Sequence, residues 1–159
     1  MNNIFFYETD IGKIGIAENG KAITNVYFNN GQILEEFNIE ETDLLRKAGK
    51  ELKEYFNGER TEFDIPLEVD GTDFRKSVWK ELCNIPYGET CTYGDIAKRI
   101  GNPKASRAVG LANNKNRIPI FIPCHRVIGA NGKLVGFAGG IEIKKYLLDL
   151  ESKRIVKSK

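Results

Sequence analysis

The sequence predicts an α+β protein in two parts: a small antiparallel sheet with one helix, then a mostly helical half. Three observations carry that prediction. Residues 1–30 hold three short strand-forming runs separated by turn signals. From residue 72 onward, apolar stripes recur at helical spacing and are broken by Gly and Pro. The charge also changes sign near residue 70: residues 1–70 carry 7 Lys and Arg against 15 Asp and Glu, net −8, and residues 71–159 carry 17 against 7, net +10.

In the first part, IFFYETD and KIGIAENG flank Gly12, and ENGK at 18–21 carries the Asn-Gly signal of a tight hairpin. AITNVYF at 22–28 is the third run. In ETDLLRKAGKELKEYFNGE, the residues Leu44, Leu45, Ala48, Leu52, Tyr55 and Phe56 share one helical face, and Gly58 stops the helix. TEFDIPLEVDG at 61–71 reads as extended and polar, which places the boundary between domains 1–70 and 71–159.

The second part opens with Thr72 or Asp73 as the cap of a helix whose stripe is Phe74, Val78 and Leu82. Pro86 and Gly88 end it. Thr92 and Asp95 form a capping box before IAKRI, and Gly101 stops that helix. Asn102 and Pro103 restart the next one, as cap and first residue. Two short helices joined by GNPK read as a helix-turn-helix. IEIKKYLLDLESKR closes the chain as an amphipathic helix with a basic tail.

Composition excludes several classes. Hydrophobic residues are 41% and charged residues 29%, with 16 Gly and 5 Pro, so collagen-like and Pro-rich disordered chains are out. No apolar run reaches the roughly 18 residues of a membrane helix, and MNNIFFYETD lacks the pattern of a secretory signal. Three Cys make no disulfide framework, so a reducing cytoplasm is expected. The basic second half fits a polyanion; solvated surface charge is the plainer alternative.

Helix 104–114, KASRAVGLANN, is rich in small residues, with Ala105, Ser106, Ala108, Gly110 and Ala112 around one long cation, Arg107. A slim face can approach a minor groove of about 6 Å, and a single Arg can fill the space of an extruded base. The same face could instead pack on a neighbouring helix, or the helix could read a major groove. The only His follows a Cys, in IPCHRVIG at 122–129. As neighbours on an extended segment, Cys124 and His125 would point to opposite sides, linked by a water or a third group. Nucleophilic sulfur needs a base and a group that orients the base; Glu151 is the candidate carboxylate. Simple packing of a buried Cys is the alternative. The spacing of Cys83, Cys91, Cys124 and His125 fits no usual zinc site, and Cys83 and Cys91 read as packing residues.

The run IPYGETCTYGDIAKRIGNPKASRAVGLANNKNRIPIFIPCHRVIGANGKLVGFAGGIEIKKYLLDLE resembles the O6-alkylguanine-DNA alkyltransferases over residues 72–151, with Pro-Cys-His-Arg-Val as the most specific match. The resemblance implies a ribonuclease-H-like first domain and a winged-helix, helix-turn-helix-like second domain. It implies that Cys124 accepts the alkyl group, that His125 is its base through water, and that Glu151 orients the imidazole. Asn116 would brace the active-site turn, and Tyr93 would donate to the leaving guanine. Arg107 would enter the duplex from a helix that begins with Ala105 and Ser106. Val127, Phe137, Ala138 and Gly139, with Gly140, would shape the base pocket. Phe137 stands where many relatives have Tyr, Arg117 where Pro is common, and Tyr146 where Trp is common, the last a packing change.

The implied activity is DNA repair by direct damage reversal. A single-turnover, suicide methyltransferase takes a methyl or larger alkyl group from O6-alkylguanine, or O4-alkylthymine, after base flipping. The partner is double-stranded DNA carrying alkylated bases; no cofactor, metal or membrane is expected, and the protein is expected to be a monomer. Thioether formation consumes the protein, so product per protein separates this reading from a cysteine hydrolase. Dependence on Cys124 separates it from a DNA-binding regulator.

Overall fold

Two units divide the chain, Met1–Val69 and Asp70–Lys159. The computed structural model describes residues 2–29, 31–137 and 139–157.

The first unit is a four-stranded sheet, ordered β3-β2-β1-β4, with one helix. β1 (Asn3–Thr9) pairs antiparallel with β2 (Gly12–Glu18) from Asn3–Glu18 to Thr9–Gly12. The Thr9 hydroxyl closes their turn by donating to the Gly12 carbonyl at 2.7 Å. At the next turn the Asn19 carboxamide oxygen accepts from the Lys21 and Ala22 amides, both at 3.0 Å, and β3 (Ile23–Tyr27) returns against β2. The sheet is not wholly antiparallel: β4 (Asn38–Ile39) adds two residues parallel to β1. Residues 61–69 form no named strand, although Leu67 bridges Ile23.

Helix α1 (Asp43–Phe56) is capped by Thr42, whose hydroxyl accepts from the Leu45 amide. It buries Leu45, Ala48, Leu52, Tyr55 and Phe56, and packs on β1 and β2. Gly49 is required by that packing, because a Cβ there would lie 2.5 Å from the Tyr7 ring. The ring is held in place: its hydroxyl lies 2.9 Å from the Leu45 carbonyl and 2.8 Å from the Glu41 carboxylate.

The second unit is mostly helical. α2 (Asp73–Leu82) is capped by Thr72, and its Trp79 donates to the Ala112 carbonyl at 2.8 Å. β5 (Cys91–Thr92) leads into α3 (Tyr93–Arg99), where the Thr92–Asp95 capping box is complete. α4 (Ser106–Asn114) begins later than Asn102-Pro103 predicts. Asn102 and Pro103 lie in the turn, and Ala105 holds the cap position with no side-chain bond. β6 (Val127–Ile128) pairs parallel with β5, Cys91 opposite Val127 and Thr92 opposite Ile128. α5 (Ile141–Lys157) closes the unit, and Tyr146 on it is 36% exposed. Cys91 is buried, but Cys83 is exposed and is not a packing residue. Among the described residues no helix is long and apolar enough to cross a membrane.

Candidate active site

Cys124 and His125 do not lie on an extended segment. Cys124–Arg126 form a single 3-10 turn, with Pro123 just before it. Three residues in a tight turn spread their side chains around its axis, so Cys124 and His125 need not oppose each other as they would on a strand. The turn is delivered by residues 116–123. The Asn116 side chain donates to the Ile122 carbonyl at 3.0 Å and accepts from the Ile118 amide at 3.0 Å. Ile120 between them has φ 74°, a conformation that costs a β-branched residue of order 1–3 kcal/mol. Asn116 therefore fastens both ends of a strained reversal just ahead of the sulfur. Arg117, beside it, is exposed.

All three residues of the turn are buried. His125 Nε2 lies 2.7 Å from Glu151, and Glu151 also takes two bonds from Arg126, at 2.8 Å from Nε and 3.0 Å from Nη2. The Gly88 amide adds a fourth, at 3.3 Å. Burial opposes ionisation of Glu151, yet the hydrogen bonds from His125 and Arg126, with the charge of Arg126, outweigh it and hold the carboxyl down at about 2. The carboxylate therefore fixes the imidazole proton on Nε2. That leaves Nδ1 as a lone pair, buried and without a partner among the described residues. Burial pushes the His125 pKa down, so the ring is neutral and able to take a proton.

The sulfur itself is protonated at rest. Burial pushes the Cys124 thiol up to about 11, against smaller downward pulls from the Asn116 side chain, the Lys144 charge and its own backbone N–H. An already ionised sulfur is thus not what the resting structure holds; the proton must leave during the reaction. Asn113 donates to the Cys124 carbonyl at 3.4 Å, steadying the turn from α4.

Tyr93 is the first residue of α3, and the β5–β6 register brings it to the same site. Its hydroxyl donates to the Val135 carbonyl at 3.1 Å. Burial first, and then the charge of Cys124, pushes its pKa up, so the phenol keeps its proton. Val127 is buried, and its carbonyl accepts from Lys144 Nζ at 2.6 Å. Phe137 is half-buried and Gly139 is buried, while Ala138 lies outside the described residues. Arg107 and Ala108 are exposed near the start of α4, with Ala105 and Ser106 half-buried beside them. Arg107 belongs to the outer face of α4, with exposed Leu111 one turn on.

Arg126 and Lys144 are functional residues that the sequence pattern does not single out. Arg126 stands inside the Pro-Cys-His-Arg-Val run, where its charge could be taken for surface charge. Lys144 has a signal after the fact: Lys144, Leu147 and Glu151 follow helical spacing, and all three are buried on one side of α5. Two charges on an apolar stripe mark a polar interior. Among the described residues no group of three or more His, Cys, Asp or Glu could hold a metal ion.

The profile of the 6-O-methylguanine DNA methyltransferase DNA-binding domain matches residues 73–153, and that of the family's ribonuclease-like domain matches residues 5–69. A methylated-DNA–protein-cysteine methyltransferase of Methanosarcina acetivorans is 53% identical over 148 residues, covering 91% of this chain and 95% of the relative. The constitutive enzyme of Bacillus subtilis is 45% identical, covering 95% and 96%. Among solved structures, Mycobacterium tuberculosis OGT in complex with DNA superposes with a TM-score of 0.91 at 46% identity, covering 96% of this chain and 94% of that one.

Proposed function

The chain belongs to the 6-O-methylguanine DNA methyltransferase family, and from that premise we propose that it repairs alkylated DNA by moving the alkyl group onto Cys124. The observation that carries this reading is the Cys124–Arg126 turn, in which a buried thiol adjoins an imidazole whose tautomer is set by Glu151 at 2.7 Å. His125 Nδ1 takes the thiol proton, directly or through a water. The thiolate attacks the alkyl carbon in line, the sulfur–carbon bond forms, and the carbon–oxygen bond breaks with its electron pair passing to the base. Tyr93 exchanges the Val135 carbonyl for the base and supplies a proton to it. The proton on His125 then makes good the phenol's loss.

The thioether is not hydrolysed, so each chain acts once. For the alkyl carbon to reach a buried sulfur, the base must leave the stack. Exposed Arg107, on the narrow face of α4, is the side chain that fills the gap. Val127, Phe137 and Gly139 surround the extruded base, and their size decides between methyl and larger groups and between guanine and O4-alkylthymine. The domains are residues 1–70 and 71–159, the second carrying DNA binding and transfer as a monomer. The free thiols of Cys83, Cys91 and Cys124 suit a reducing cytoplasm.

The test is a peptide mass map after incubation with duplex DNA carrying O6-methylguanine. A gain of one methyl on the Cys124 peptide, at no more than one per chain, is expected. Methyl found elsewhere, or repeated turnover, refutes the reading.

A further inference from the structure

Lys144 is 0% exposed, yet its Nζ has only carbonyls as hydrogen-bond partners among the described residues: Val127 at 2.6 Å and Val135 at 2.9 Å. No carboxylate pairs with it among those residues, although Glu151 lies on the same face of α5 and is occupied by His125 and Arg126. A buried cation without an anion is expensive, and an anion formed beside it would relieve that cost. The two carbonyls it grips are also informative. Val127 directly follows the Cys124–Arg126 turn, and the Val135 carbonyl is the acceptor of the Tyr93 hydroxyl.

We infer that Lys144 is a positioning residue of the transfer reaction. Its ammonium is the counter-charge kept for the Cys124 thiolate, and its hydrogen bonds hold the Val127 and Val135 carbonyls beside the nucleophile and the proton donor. This rests on Cys124 being the acceptor. The groups that act on the sulfur are the Asn116 side chain ahead of the turn and the Lys144 ammonium from α5, and the Tyr93 phenol from α3 feels its charge; His125 and Arg126 adjoin Cys124 in the turn and are both bonded to Glu151 of α5. The cation of Arg126 is neutralised by two bonds to Glu151. Lys144 is therefore the positive charge left to meet a new anion. Its influence is mutual: it pulls the thiol's pKa down, and the sulfur's charge pulls the lysine's up against the larger effect of burial.

The test uses the full chain. The pH profile of Cys124 alkylation by iodoacetamide, read on the Cys124 peptide, is compared for the unaltered protein, K144M and K144R. K144M should move the midpoint up by at least about one unit, a tenfold loss of thiolate at fixed pH. It should also slow methyl transfer from duplex DNA at least about tenfold, while K144R restores most of the midpoint. A folded K144M with an unmoved midpoint overturns the inference.

Should K144M not fold, the Lys144 ammonium is titrated by NMR in the unaltered chain and in C124A. The lysine midpoint should fall when the sulfur is removed, and an identical titration overturns the inference. Absence of methyl on Cys124 in the unaltered chain overturns the reading beneath it. A methylated Cys124 with an unmoved K144M profile overturns this inference alone.

Discussion

At the scale of single residues, the site divides its protons among Tyr93, Cys124 and His125, and Glu151 settles the division. Replacing Tyr93 by Phe keeps the ring and removes the donor, so single-turnover transfer should slow about a hundredfold, the lower range for a lost general acid. Quenched-flow rates on methylated duplex check this, and an unchanged rate removes Tyr93 from the chemistry. Glu151 makes a second prediction. Its carboxyl falls from an ordinary 4.5 to about 2 on folding, so its stabilisation is complete above pH 4.5 and is lost as pH falls through about 2. Acid unfolding should show that window. In E151Q the window should vanish, with neutral-pH stability lower by about 3–5 kcal/mol because Arg126 is left buried and unpaired. Denaturant titrations from pH 2 to 7 decide it.

At the scale of elements, close approach is what the chain spends its small residues on. In α1, Gly49→Ala gains about 1 kcal/mol of helix propensity but drives a Cβ to 2.5 Å from the pinned Tyr7 ring. Overpacking of about 1–3 kcal/mol should win, and thermal unfolding should shift down. On α4, Arg107→Ala should slow repair of duplex DNA at least about tenfold more than transfer from a free alkylated base; equal losses on both substrates contradict extrusion.

What was legible in the sequence follows the range of the interaction. Thr72, Thr92 and Asp95 cap their helices through bonds three residues long, so a sequence displays them. The two-residue β4 has no periodicity to read. The start of α4 is hidden because Asn102 and Pro103 serve the turn, and the helix takes no side-chain cap. The shape at Cys124 depends on Asn116 bracing a left-handed Ile120, which residue type does not advertise. The carboxylate at residue 151 was nameable as a candidate, but its hold on Arg126, and the burial of Lys144, required α5 to be folded back against residues 125–135.

At the scale of the whole molecule, the charge is as uneven as the fold, with net +10 over residues 71–159. Phosphate contacts by that half release counterions, so duplex affinity should fall by at least about tenfold between roughly 50 and 200 mM salt, as two such contacts would give. Fluorescence anisotropy measures it, and a flat response would contradict phosphate binding.

The placement of α5 has a further consequence in time. Glu151 comes 26 residues after His125, and Lys144 shares its helix, so a ribosome delivers the sulfur before either partner. In the growing polypeptide that sulfur ionises near 9.0; in the finished fold it is pushed to about 11. A reagent spent after one reaction is thus most exposed to stray electrophiles while it is still being made, and burial in the finished fold, against the pull of Lys144 from α5, is what puts it into safekeeping.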